Sequence, residues 1–251
     1  MRWQVGVTTV PMRRATLLPQ TLSSLRAAGF PSPRLFVDGD GDTAGWQTEF
    51  GCDATCRATP VLLVANWVMG LFELYFRDPH ADRYAMFQDD VICLRNLREY
   101  LDACEYPDRG YLNLYTAPSN RLFLQDETGW HPSNQRGKGA CALVFSRDAV
   151  QTFFAHFYDH VITRPLDSPE FGWRRLDGAI CETFLKAGWR EYVHGPGLVK
   201  HVGVQPSFNK AAWATAENAR ELLPNWRHQA AFEGWWPGDQ FDAMQFARST
   251  I

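Results

Sequence analysis

Lysine is scarce in this chain: four lysines stand against 21 arginines in 251 residues. With 28 acidic residues the formal charge is −3. That balance argues against a dedicated basic clamp for nucleic acid and leaves only a local arginine patch open. Arginine suits bidentate phosphate contacts, and codon bias explains the same count. No run of 18 or more apolar residues occurs. The nearest, 61–76, is broken by Asn66 and Glu73, so it is no clean membrane span. The N-terminus reads Met-Arg-Trp-Gln and soon meets Pro11, which leaves no room for a signal-peptide core. A soluble, cytoplasmic chain is therefore expected. Six cysteines are scattered, and Cys52 and Cys56 have no second pair at zinc spacing. Buried reduced thiols are expected. Repeats, low-complexity tracts, a Walker loop and a G-x-G-x-x-G fingerprint are all missing.

What is present alternates. A β-branched run at 5–10 stops at Pro11. Residues 16–28 carry Leu18, Leu22 and Leu25 at helical spacing, and Gly29 ends them. A strand is expected at 34–37, followed by the turn-rich Asp38-Gly-Asp-Gly-Asp42. The length and one-sided apolar pattern of 61–76 predict a helix. A strand at 84–87 runs into Gln88-Asp89-Asp90. A helix near 94–103, strands at 111–115 and 140–145, and helices at 147–158 and 177–187 follow. Strands alternating with helices predict an α/β layer structure with a largely parallel sheet. Ligands in such sheets sit beyond the carboxyl ends of the strands. Residues 209–251 differ in kind. They hold Trp213, Trp226, Trp235 and Trp236 and read as a helical, then loop-like appendage on a main domain of 1–208.

Adjacent carboxylates repel unless a cation or donors sit nearby. Asp89 and Asp90 at a strand end therefore suit Mg²⁺ or Mn²⁺, which takes oxygen ligands and keeps positions for substrate phosphates. An acidic pair capping the next helix reads equally well. His201 lies in a β-like, glycine-flanked segment, either as a satisfied half-buried histidine or as a partner to Asp90. Imidazole with carboxylate suits Mn²⁺ better than Mg²⁺. Asp177 opens a helix, as an N-cap or as a general base facing the cleft. Glu182 is a competing carboxylate. Thr8, Thr9, Arg13 and Asp38 follow strands and can touch a nucleotide or simply make turns. Gly137-Lys138-Gly139 can form a close-approach loop beside a sugar or phosphate. Trp173 is the tryptophan best placed to stack on a sugar, although most of the ten tryptophans suit core or rim positions.

In this order, over roughly residues 3–208, these pieces resemble the nucleotide-sugar glycosyltransferases of the GT-A fold. Gln88-Asp89-Asp90 is similar to that family's acidic metal motif and Gly137-Lys138-Gly139 to its glycine loop. Leu176-Asp177 resembles the position of its catalytic carboxylate, and His201 the late histidine completing the metal site. The helix containing Asn66 is similar to one preceding the metal strand. Lys200-His-Val-Gly-Val-Gln-Pro-Ser207 is similar to a segment of the N-acetylglucosaminyltransferases that branch N-glycans, which favours an inverting mechanism. Gln88 departs from the pattern, replacing the usual first acidic residue. Asp177 also lacks the second acid seen in many relatives.

The resemblance implies a metal-dependent inverting glycosyltransferase with a GT-A-like, Rossmann-like sheet. Mn²⁺ or Mg²⁺ would rest on Asp90 and His201. A nucleotide-diphosphate sugar, UDP-linked by resemblance, would meet Thr8, Thr9 and Asp38 at its base and Asp89 at its ribose. Asp177 would deprotonate the acceptor hydroxyl. The acceptor is open among glycan, lipid, protein and modified nucleic acid. Two alternatives stand beside this reading. One is a metal-dependent nucleotidyltransferase or phosphohydrolase, and the other a degenerate transferase that binds sugars without turnover.

Overall fold

The computed structural model describes residues 1–124, 127–162, 176–203 and 236–248. One mixed sheet carries the fold. Its strands are β1 (Trp3–Thr9), β2 (Arg34–Asp38), β3 (Ala54–Arg57), β4 (Arg83–Gln88), β6 (Gly110–Asn113), β7 (Gly129–Pro132), β8 (Ala142–Ser146) and β9 (Arg190–Gly195), in the order β3-β2-β1-β4-β8-β6-β9-β7. The block from β3 to β4 is parallel, and β6 runs parallel to β9. β8 enters antiparallel between β4 and β6, and β7 antiparallel at the far edge. A separate two-stranded antiparallel ribbon joins β5 (Val91–Cys93) to β10 (Val199–His201). The architecture is α/β, with a mostly parallel sheet flanked by helices.

Both faces of the sheet are covered, and the pleat shows why. Successive side chains of a strand point to opposite faces. On β4, Ala85 and Phe87 join a core with Leu18, Leu22 and Leu25 of α1 (Leu17–Ala27), Trp46 of α2 (Thr43–Phe50) and Leu97 and Leu101 of α4 (Leu97–Ala103). Tyr84 and Met86 join the opposite core with Trp67, Leu71 and Leu74 of α3 (Leu62–Arg77), Phe153 of α6 (Arg147–Ile162) and Ile180 and Phe184 of α7 (Leu176–Lys186). β8 divides likewise, with Ala142 and Val144 on the first face and Leu143 and Phe145 on the second. Strands buried on both faces read as continuous apolar runs, which is why β1, β2, β4 and β8 are evident from sequence.

Several elements differ from expectation. α2, β3, β5, β7, β9 and the short α5 (Pro118–Leu124) lie in stretches where the sequence pattern predicts no element. The expected strand 140–145 begins at Ala142, and the helix at 94–103 begins at Leu97, after Asn96 in a left-handed conformation (φ 54). All six cysteines are free. No helix among the described residues is long and apolar enough to cross a membrane.

Within the tail, 204–235 lies outside the described residues, and with it Trp213, Trp226 and Trp235. The described end, including α8 (Met244–Arg248), returns to the main sheet. Arg95 N donates to the Phe241 carbonyl, Ala243 N donates to the Arg95 carbonyl, and Asn96 Nδ2 donates to Asp242. Phe246 packs on the rings of Tyr100 and His194. His194 is fully buried, 2.8 Å from Tyr100 Oη through Nε2 and 2.6 Å from the Pro196 carbonyl through Nδ1. The neutral ring meets both contacts with Nδ1–H donating to the carbonyl and Nε2 accepting from the hydroxyl.

Two predictions follow from this packing. Trp67 is fully buried, edge-on to Phe145 and Phe153, and its Nε1–H has no hydrogen-bond partner. Trp67→Ala is expected to cost about 3–5 kcal/mol in urea unfolding. Trp67→Phe keeps an aromatic ring, removes the unsatisfied donor, leaves a smaller cavity and is expected to cost clearly less than Trp67→Ala. The second concerns pH. Burial pushes the His194 pKa down to about 4, against the Pro196 hydrogen bond that raises it. The unfolded chain therefore takes up this proton near pH 6.5 while the native state refuses it until about pH 4. Stability falls as pH drops through that window. In His194→Gln, unfolding free energy is expected to lose less between pH 6.5 and 4.5 than in the wild type; an equal loss counts against the neutral buried ring.

Candidate active site

Strand register assembles the site. Thr8 of β1 pairs with Gln88 of β4, so Thr9, the last residue of β1, and Asp89, the first after β4, stand side by side. Thr9 Oγ1 donates to Asp89 Oδ2 at 2.7 Å. Pro11 then turns the chain into a single 3-10 turn, Pro11–Arg13, closed by Arg13 N on the Val10 carbonyl. That turn carries Arg13 back over the strand ends, where its side chain is only 7% exposed. Its Nη1 lies 3.3 Å from Asp90 Oδ2 and 3.9 Å from Asp89 Oδ1.

His201 arrives by a second register. β10 pairs with β5 so that His201 opposes Val91, and Val202 N donates to the Asp90 carbonyl. His201 Nε2 thereby stands 3.2 Å from Asp90 Oδ2. Gly203 follows, where a Cβ would overlap the Asp90 carboxylate. Asp90 Oδ2 thus meets both Arg13 and His201, while Oδ1 is buried with no hydrogen-bond partner.

The charges are unequal in consequence. Burial, and then the neighbouring Asp90 charge, raise Asp89 to about 6 against the pull of Thr9 and Arg13. Burial opposes ionisation of Asp90 too, but His201 and Arg13 outweigh it and hold Asp90 below the ordinary carboxylate range. Burial works against a charged His201, and Asp90 reverses that and raises it.

The glycine loop forms the opposite wall. Gly137 and Gly139 have φ of 56° and 79°, a region that disfavours side chains. Space forbids them as well: a Cβ on Gly137 would overlap the Asp177 backbone, and one on Gly139 the Tyr115 ring. Asp177, in the first turn of α7, accepts from Gly139 N through Oδ2 at 2.7 Å; Oδ1 has no partner among the described residues. Asn113 at the end of β6 donates to the Lys138 carbonyl at 2.9 Å and to Glu191 Oε1 at 3.1 Å. Tyr115 bridges the walls, packing on Gly139 and lying edge-on to His201 with ring centroids 6.2 Å apart. Asp90, His201, Tyr115, Gly139 and Asp177 are thus linked by an unbroken series of contacts.

Other residues named from sequence have structural work. Asp38 accepts from Val61 N and Leu62 N, one per carboxylate oxygen, and so anchors α3. Asn66 is 2% exposed, donating to the Phe36 carbonyl and accepting from Arg57 Nε. Thr8 Oγ1 donates to the Phe87 carbonyl. Glu182 pairs with Lys186 along α7 at 3.2 Å. Five residues of helix turn it about 140° from Asp177, off the loop-facing side. Trp173 lies outside the described residues. Sequence reading missed Asn113, Tyr115 and Glu191. An asparagine inside the apolar run Tyr-Leu-Asn-Leu-Tyr was a usable signal for the first.

Comparison with known proteins comes down to structure. No protein-family model matches the chain, and no curated protein sequence does. A mannosyltransferase from Pyrobaculum calidifontis, solved with GDP-Man and Mn²⁺, matches with a TM-score of 0.51 at 12% identity, covering 95% of this chain and 66% of that one. The two share a fold. A nucleotidyl transferase from Methanothermobacter thermautotroptrophicus matches at a TM-score of 0.47 and 14% identity, over 92% of this chain and 98% of that one. Neither lends support to the N-glycan-branching likeness of Lys200–Ser207, of which 204–207 lies outside the described residues.

The GT-A likeness implies a divalent cation, and the residues present fit one. Among the described residues no group of three or more His, Cys, Asp and Glu side chains is gathered for a metal, and Asp90 and His201 are the two that would hold one. Their approach to 3.2 Å brings together a carboxylate and an imidazole, a donor pair that would suit Mn²⁺. Asp90 Oδ1, buried and partnerless, is an acceptor in want of a cation.

The loop clamp is testable. Asn113→Ala leaves the Lys138 carbonyl and the buried Glu191 short of a donor. It is expected to cost about 1–3 kcal/mol in urea unfolding and to speed amide exchange in the peptide spanning 133–141. Unchanged exchange there would separate Asn113 from the loop.

Proposed function

We propose that this chain is a metal-dependent, inverting glycosyltransferase that moves a sugar from a nucleotide-diphosphate sugar to an acceptor hydroxyl. The observation that carries this reading is the meeting of Asp90 and His201 at 3.2 Å, beyond the carboxyl end of β4, across from an aspartate bound to a glycine loop. The shared fold with a GDP-mannose-bound, Mn²⁺-containing mannosyltransferase supports it.

Asp90 and His201 would hold Mn²⁺ or Mg²⁺, which supplies positive charge against the charge building on the departing diphosphate. Thr9 and Asp89 at the ends of β1 and β4 face the nucleoside, with Asp89 toward the ribose. Asp38 and Thr8 shape the base-side floor, their side chains already committed to backbone groups. Lys138 and the Gly139 backbone line the approach to the sugar. Asp177 is oriented by the Gly139 N–H through Oδ2, and Oδ1 takes the acceptor proton. The acceptor oxygen forms its bond to the anomeric carbon as the bond from that carbon to the diphosphate oxygen breaks, with inversion. The resemblance favours a UDP-linked donor and the mannosyltransferase points to GDP, so both are tested. The acceptor is a hydroxyl of a glycan, lipid, protein or modified nucleic acid. The free cysteines suit a reducing compartment such as the cytoplasm.

A thermal-shift screen of UDP- and GDP-sugars, with and without Mn²⁺, is expected to pick out one donor whose stabilisation needs the metal. Asp90→Asn should abolish the Mn²⁺-dependent part. Asp177→Asn keeps an oxygen for Gly139 N but no base, so donor binding persists while transfer falls about 10²–10⁴-fold. Release of pyrophosphate in place of nucleoside diphosphate, or binding without any turnover, overturns the assignment.

A further inference from the structure

The acidic corner already contains a cation of its own. We propose that Arg13 competes with the divalent ion for Asp90, holding the metal site closed until an anionic diphosphate draws the guanidinium away. Arg13 thereby couples metal binding to nucleotide binding. This inference rests on the metal reading above and goes beyond it.

The geometry carries the argument. Arg13 Nη1 approaches Asp90 Oδ2 at 3.3 Å, and His201 Nε2 approaches the same oxygen at 3.2 Å. A metal bridging Asp90 and His201 would stand against a guanidinium within a few ångströms. Solvent is largely kept from Arg13 and the aspartates, with side-chain exposure of 7% for Arg13 and about 10% for both aspartates, while His201, at 35%, forms the open side of the corner. Like charges at that distance, weakly screened, repel strongly. Asp90 Oδ1 stays buried and partnerless, so Arg13 satisfies only half of the carboxylate. The resting state is therefore poised between a monovalent cation that is always present and a divalent one that would use both ligands.

Charge counting gives the direction of coupling. Whatever the protonation of Asp89 and His201, a divalent ion adds two positive charges to a corner that already holds the Arg13 guanidinium. A diphosphate supplies the compensating negative charge. Arginine is suited to receive it, since its planar fork matches phosphate oxygens as well as carboxylate. Arg13 lies on a single 3-10 turn rather than on a strand, and that turn ends where Arg14 N closes on the Pro11 carbonyl. Reorienting the side chain disturbs no sheet hydrogen bond. Linkage then requires that nucleotide and metal raise each other's affinity by the same factor.

The test is a Mn²⁺ titration followed by electron paramagnetic resonance, with and without UDP or GDP. It compares the wild type with Arg13→Met, Arg13→Gln and Arg13→Lys, each checked for folding by circular dichroism. Without nucleotide, the Met and Gln variants are expected to bind Mn²⁺ at least about tenfold more tightly than the wild type, while Arg13→Lys, which keeps the charge, stays close to it. One of the two nucleotides should raise Mn²⁺ affinity in the wild type by a clearly larger factor than in Arg13→Gln. Equal or weaker Mn²⁺ binding by the neutral variants overturns the proposal. If neither neutral variant folds, the wild type decides alone: a measurable Mn²⁺ affinity that neither nucleotide changes also overturns it. Absence of Mn²⁺ binding by every protein, even with nucleotide, is a separate result that brings down the metal reading itself.

Discussion

One carboxylate holds this site together. Asp90 leaves the end of β4, receives Arg13 from the turn after β1 and receives His201 from β10. Sequence-distant groups meet there because two registers are set by the pattern of buried and exposed residues. A slip of one residue in the β5–β10 ribbon would send His201 to the opposite face, since side chains alternate along a strand. The Val202 N–H on the Asp90 carbonyl extends that ribbon to the acidic residue itself. The chemistry is therefore a by-product of pairing, and Asp90 is both the end of a strand and the centre of a charge cluster.

Electrostatic tension explains the rest of the corner. Two buried adjacent carboxylates are costly, and one response is for a proton to return to one of them. Asp89 is shifted toward that response, raised to about 6 by burial and its neighbour, while Asp90 is held below the ordinary carboxylate range because His201 and Arg13 face it. A buried pair of opposite charges is seldom a net source of stability, because desolvation offsets attraction. The cluster is better understood as a polarised socket than as a brace. Its stability comes from the two apolar cores on either side of the sheet, where Phe87 and Met86 of the same strand are fully buried. The opposite wall follows the same division: Asn113 and Asp177 hold the glycine loop by its backbone, so the Lys138 side chain is not what fixes it.

Much of the framework was legible because apolar pattern and burial coincide. α1 and α3 carry apolar residues at helical spacing, and β4 and β8 are continuous apolar runs. The failures have physical reasons. α2 buries only Trp46, and its capping Asp42 sits in a cluster of Asp and Gly that reads as pure turn. β9 reads Arg-Glu-Tyr-Val-His-Gly and looks solvent-exposed, yet Glu191 and His194 are buried within it as parts of polar networks. At the site, Asp89, Asp90, Asp177 and His201 stood out by residue type at strand and helix ends. Arg13 stood out only as a residue after β1. That it inserts between the two aspartates follows from the turn geometry after Pro11, which local sequence does not announce. Asp38 and Asn66 show the converse: residue types that suit a ligand turned out to be engaged by backbone and by Arg57.

A metal position with two protein ligands, as proposed for Asp90 and His201 among the described residues, would be incomplete by construction. Cations of this class favour about six ligands, so the remaining positions belong to water or to the substrate's own oxygens. A protein built this way cannot separate its affinity for metal from its affinity for the phosphates that complete the coordination shell. What a chain can choose is the strength and sign of that dependence, through whatever else occupies the corner when substrate is away. Here the occupant is a guanidinium, shared between two carboxylates and anchored by neither at ideal distance. Such an arrangement offsets the repulsion between two buried aspartates and leaves Asp90 Oδ1 without a partner.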